Sequence, residues 1–167
     1  MKLVSKKLAL ALSLAVLTSS SAMAAATSGS IQVTATVSAS CQLTTNNLTF
    51  GAFVPSAVAT TMPSTTTIST TCTKTTPYTI GLSAGTGTFA ARTMAGAKTG
   101  NTDKLSYSLH TDAAGASIFG DGTTGTSTVA GAGTGAAVTT TIYGKIPVNQ
   151  FLTPDSYADT ITVTVNY

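Results

Sequence analysis

The chain reads as an all-β protein, and three features of its sequence predict this. It contains no Glu, and no stretch keeps apolar residues at i, i+3, i+4 and i+7, so helices have little to build on. Thr supplies about a quarter of the residues after position 24 and, with Val, Ile, Tyr and Phe, makes a composition suited to half-buried pleated strands. Short segments alternate apolar and polar at period two between clusters of Gly, Pro, Ser and Asn.

Ile31, Val33, Ala35 and Val37 alternate with Gln32, Thr34 and Thr36. Leu48 and Phe50 precede Gly51, residues 66–72 carry Ile68, and Tyr78, Ile80 and Leu82 alternate with Thr79 and Gly81. Leu105, Tyr107 and Leu109 follow the same rule, Ile142 and Ile146 flank Tyr143, and Ile161, Val163, Val165 and Tyr167 alternate with Thr162, Thr164 and Asn166. Short strands with turn-rich connections suit a β-sandwich; a parallel sheet would need crossover helices. The stretches 84–101 and 120–141, rich in Gly, Ala, Ser and Thr, are expected to be long surface loops.

Lys2, Lys6 and Lys7 precede an apolar run from Leu8 to Leu17 and a small-residue stretch ending in Ala22-Met23-Ala24. This is the pattern of a secretory signal peptide, residues 1–24, cleaved after Ala24. A membrane span needs about 20 apolar residues, and this run is too short, so the mature form is expected to have no membrane span. Removing 24 of the 167 residues leaves 143, enough for one domain.

The formal charge of +3 arises from the leader: the remaining five basic residues (Lys74, Arg92, Lys98, Lys104, Lys145) face five aspartates. With no basic cluster, nucleic acid is not an expected partner. Cys41 and Cys72 are the only cysteines, and in an exported chain an even count reads as a disulfide. Two cysteines and the single His110 do not make a zinc set, and no metal or cofactor is expected.

Gly81-Leu82-Ser83-Ala84-Gly85 matches the nucleophile elbow of hydrolases, with Asp103 and His110 following in triad order. That motif works only where a strand turns into a helix, and no helix follows, so the chain is not expected to be an enzyme. Asp121, between two glycines, has no acidic neighbour to help it hold calcium and reads as a turn residue.

Both ends of the mature chain carry alternating strands. From Thr160 to Tyr167 there is no Lys, Pro or Gly to blunt an exposed edge, so this strand is a candidate docking edge. Ile31 to Val37 could pair there on a neighbouring copy, a head-to-tail contact that generates a fibre. Alternatively the first strand pairs within its own chain and the protein is a monomer, a secreted sandwich binding a glycan or small ligand, or a coat protein of the same fold.

The chain resembles the spore coat U domain proteins, which include the pilins of archaic, Csu-type chaperone–usher pili. The resemblance rests on Leu48-Thr49-Phe50-Gly51, Cys72 with Tyr78-Thr79-Ile80-Gly81-Leu82, Arg92-Thr93-Met94, Leu105-Ser106-Tyr107-Ser108-Leu109, Phe119-Gly120-Asp121-Gly122, Tyr143-Gly144-Lys145-Ile146-Pro147 with Gln150, and residues 157–163. Phe119 stands where the family often has Trp, and His110 where an aromatic is usual. The resemblance implies an incomplete immunoglobulin-like β-sandwich lacking its last strand, residues 41–167, preceded by a donor-strand segment, residues 25–40. Its donor residues would be Ile31, Val33, Ala35 and Val37. Ile161, Val163, Val165 and Tyr167 would edge the acceptor groove, and Cys41 and Cys72 would staple the opposite wall. The implied partners are other copies or related pilins, a periplasmic chaperone and an outer-membrane usher. The implied destination is a cell-surface pilus serving adhesion and biofilm formation, reached through the periplasm. One domain with its own donor segment resembles a shaft or adaptor subunit.

Overall fold

The computed structural model of the chain describes residues 23–55, 61–123 and 125–167. The expected signal peptide falls almost wholly outside them. The described residues contain strands and no helix: β1 (Cys41–Thr45), β2 (Thr61–Cys72), β3 (Pro77–Leu82), β4 (Arg92–Gly96), β5 (Lys104–His110), β6 (Val129–Ala132), β7 (Ala137–Pro147), β8 (Tyr157–Ala158) and β9 (Val163–Asn166). They form a six-stranded sheet in the order β1-β2-β7-β5-β4-β8 and a three-stranded sheet in the order β6-β3-β9. Every pairing between named strands is antiparallel.

The centre of the large sheet is the long β2–β7 pair, in register from Thr61↔Pro147 to Thr71↔Ala137. Along β2 the buried positions are Thr66, Ile68, Thr70 and Cys72, while Thr65, Thr67, Ser69 and Thr71 face outward. Threonine serves both faces because its methyl packs while its hydroxyl reaches a neighbour; Thr66 Oγ1, for example, donates to Asn46 O at 3.0 Å. Ile68, Ile142 and Ile146 from this pair meet Tyr78, Ile80 and Leu82 from β3 and Leu105, Tyr107, Leu109 and Phe119 in a single core.

Cys41 and Cys72 are directly opposite in the β1–β2 register and are disulfide-bonded. The bond closes a sequence separation of 31 residues beside the corner at Thr73–Thr76, where the chain leaves the large sheet for β3. Replacing both cysteines with Ser is expected to remove about 3 to 4 kcal/mol, the chain-entropy value for such a loop. The check is a fall in urea midpoint, with a slope no shallower than wild type because the uncrosslinked unfolded chain exposes more surface; an unchanged midpoint would show that strand pairing alone holds β1.

Three sequence expectations are corrected. The stretch 84–101 is not all loop, because Arg92–Gly96 forms β4 and pairs with β5 through Arg92↔Tyr107 and Met94↔Leu105. Its inward residue is an arginine, which hides the apolar alternation. The stretch 120–141 likewise holds β6 and the first half of β7. Gly131 of β6 must stay glycine because an added Cβ would run into the Tyr78 ring. Conversely, Leu48 and Phe50 lie in no strand; the segment bends at Gly51, whose φ is 77°. Their side chains still pack on the core, over Gly144, where an added Cβ would lie 2.8 Å from Phe50 and 2.9 Å from Leu48.

Candidate strand-acceptor edge

β9 pairs with β3 on one side, from Thr79↔Asn166 to Leu82↔Val163, and its other side has no strand neighbour among the described residues. β1 is similarly an edge of the large sheet, paired only with β2. These two edges belong to different sheets, yet their Cα atoms approach within 8 Å. Among the described residues no backbone ladder joins β1 to β9, so the two sheets are not hydrogen-bonded to each other along this seam.

The open edge is apolar on its inner face. Val163 and Val165 of β9, and Ile161 just before it, are half-buried against the core, while Thr162, Thr164 and Asn166 are exposed. Tyr167 is mostly exposed. Leu48, Phe50 and Phe53 are also partly buried against the core, and Leu43 of β1 is 39% exposed. Alternation in the sequence marks Ile161, Val163 and Val165; Leu48 and Phe50 alternate too, but they pack on the core from an irregular segment and not from the strand that their spacing predicts.

Residues 23–40 carry no strand, and Ile31, Val33 and Val37 are 88%, 86% and 86% exposed, with Ala35 exposed as well. Three apolar side chains spaced two apart or more and left in water are costly for a lone molecule, since burying each would gain roughly 1.5–3 kcal/mol.

The inner side of β9 is held firmly. Beyond the last ladder pair, Ser83 N–H donates to Thr162 O and Thr162 N–H donates to Ser83 Oγ, both at 2.9 Å. Ser83 is thus a strand-pairing residue. The other members of the hydrolase-like trio are engaged separately: His110 Nε2 bonds Ser108 Oγ, and Asp103 accepts Thr153 N–H. Asp121 accepts the N–H and hydroxyl of Thr123, an Asx turn as expected. Among the described residues no group of three or more His, Cys, Asp or Glu side chains is placed to hold a metal.

Behind the edge lies a charge that alternation conceals. Arg92 is fully buried, and its guanidinium donates to Ser83 O, Phe89 O and Phe119 O at 2.7 to 3.3 Å while lying over the Phe89 ring. Burial lowers its pKa, partly countered by Tyr107 and Asp159. Tyr107 O–H donates to Asp159 Oδ2 at 2.6 Å, and burial followed by this bond pushes the phenol up.

The ionisable groups make the fold acid-sensitive in two stages. His110 is 8% exposed, and burial, followed by nearby Lys145, pulls its pKa below 6.5. All five aspartates also sit below the ordinary 3.8. For Asp159 burial pushes up, and hydrogen bonds from Thr86, Tyr107 and Thr160 together outweigh it. In both cases the unfolded chain binds more protons as pH falls, so stability declines with acidification. The urea midpoint is expected to begin falling below about pH 6.5 through His110 and to steepen below about pH 4 through the carboxylates. His110→Phe should flatten the upper stage alone; an upper stage that persists in that variant would contradict the assignment.

The Spore Coat Protein U domain pattern matches residues 27–164. The chain belongs to that family. The match runs from the exposed segment ahead of β1 through β8 and ends inside β9, at Thr164. No curated protein sequence matches the chain. Among solved structures this spore coat U domain is similar to a chain in the crystal structure of the CsuC–CsuE chaperone–tip adhesion subunit pre-assembly complex from archaic chaperone–usher Csu pili of Acinetobacter baumannii. The TM-score is 0.58 at 18% identity, covering 79% of this chain and 41% of that one. The chain thus spans about two fifths of that neighbour's length, and the likeness is one of fold: an all-β, immunoglobulin-like sandwich.

Proposed function

We propose that this spore coat U domain protein is a structural subunit of a chaperone–usher pilus, polymerising by donor-strand exchange. The observation that carries the reading is a complementarity within one sequence. An apolar strand edge is open at Ile161, Val163 and Val165, and an alternating segment, Ile31 to Val37, holds its apolar side chains in water. Strand addition would satisfy the unpaired backbone of β9 and bury every second side chain of the incoming segment. Because donor and acceptor are different surfaces, the contact is heterologous and propagates as a fibre. Family membership and the fold of the neighbouring Csu complex support the same assignment.

On this reading the leader is removed after Ala24, a periplasmic chaperone covers the open edge with a strand of its own, and an outer-membrane usher exchanges it for residues 25–40 of the next subunit. The fibre then serves surface adhesion and biofilm formation. The protein's part is structural and needs no cofactor.

The test compares mature protein with and without residues 25–38. Full-length material should form SDS-resistant multimers, and the truncated form should remain monomeric until a peptide of residues 25–40 is supplied. A full-length chain that stays monomeric at high concentration would favour a solitary, ligand-binding sandwich.

A further inference from the structure

We infer that Asp159 is a positioning residue: its carboxylate latches the lead-in of β9 to the other sheet and so keeps the acceptor edge in register before any donor arrives. Asp159 lies four residues before β9. One oxygen accepts the N–H of Thr86, at 3.1 Å, and its hydroxyl; the other accepts Tyr107 O–H at 2.6 Å. Oδ1 also accepts the following Thr160 N–H at 2.8 Å.

These partners come from separate parts of the fold. Thr86 belongs to the β3–β4 connection, and Tyr107 belongs to β5 of the large sheet, where its ring is 5% exposed and lies edge-on to Phe50 at 6.3 Å. Close approach of the β3–β4 connection depends on Gly85, whose φ is 69° and whose hypothetical Cβ would collide with the Asp159 carboxylate and Ile161. An edge strand paired on one side is the element most prone to fray. β9 is held on that side by the short ladder Thr79–Leu82 and, just upstream, by the two Ser83–Thr162 bonds. The carboxylate adds a fixed point upstream, just ahead of Ile161. An edge already in register spends less free energy on ordering when a strand adds to it.

The latch concerns donor-strand uptake and rests on the function proposed above, but it can be read without polymerisation. The experiment is amide hydrogen exchange on the monomeric fraction of the full mature chain, separated by size exclusion, comparing wild type with Asp159→Asn, Tyr107→Phe and the turn variant Asp121→Asn, alongside the rate of SDS-resistant multimer formation. In Asp159→Asn, exchange at residues 160–166 should rise about tenfold or more while β2 and β7 keep their protection. Multimer formation should slow. Tyr107→Phe keeps the core ring and removes one bond, so it should give the same pattern at smaller amplitude, and Asp121→Asn should give none. Exchange unchanged at 160–166, or raised equally in β2 and β7, would overturn the inference. A local rise in Asp159→Asn with no multimers from wild type would leave the latch standing and overturn the donor-strand reading.

Discussion

Replacing Val33 with Asp is expected to abolish polymer formation while leaving the isolated subunit as stable as wild type. The two effects separate because Val33 is 86% exposed within one molecule, where a carboxylate is fully hydrated. Only on entering an apolar groove would it lose that hydration, and a buried carboxylate without a partner costs about 3 to 5 kcal/mol. A penalty of that size weakens association by on the order of a hundredfold or more. Thermal melts of the monomer and gel analysis of multimers measure the two halves independently. Normal fibre growth by this variant would place Val33 outside the donor register.

Arg92→Met should produce the largest loss of subunit stability of any single substitution considered. The guanidinium satisfies three backbone carbonyls, those of Ser83, Phe89 and Phe119. Methionine fills much of the volume but donates nothing, and stranding buried acceptors costs about 1 to 3 kcal/mol each, less wherever water can enter. A loss of about 3 to 5 kcal/mol is a large share of the stability of a domain this size. Arg92→Lys should not rescue, because a point-like ammonium cannot reach three carbonyls spread around a planar fork. Chemical denaturation of the purified subunit measures this; a Met variant within about 1 kcal/mol of wild type would mean that water replaces the guanidinium.

The Arg92 case shows where sequence reading stops in this protein. Strands β3, β5 and β9 were legible because Ile, Leu, Tyr and Val mark one face and small polar residues the other. The disulfide was legible from the export pattern and the count of cysteines. β2 is legible only from position 66, and the first half of β7 not at all, because threonine occupies both faces and erases the contrast that alternation depends on. β4 is not legible because its buried position is an arginine, whose guanidinium is satisfied by the carbonyls of Ser83, Phe89 and Phe119 in irregular segments on either side. Leu48 and Phe50 alternate like a strand but meet the core from an irregular segment, a choice made by Gly51 and by the space over Gly144.

At the candidate site the contrast is similar. Ile161, Val163 and Val165 announce themselves by spacing. What holds them is a hydrogen-bonded cluster in which Asp159 lies 73 residues from Thr86 and 52 from Tyr107, and no local pattern connects its members.

On the donor-strand reading, residues 31–37 of one molecule pair along β9 of another. That pairing is tested most directly in a polymer grown from a mixture of ¹³C-labelled and ¹⁵N-labelled copies, by solid-state NMR correlations that can arise only between molecules. Intermolecular contacts linking Ile31, Val33 and Val37 to Val163 and Val165 are expected. Contacts between these residues found solely within one molecule, or a polymer that forms without any, would contradict that reading.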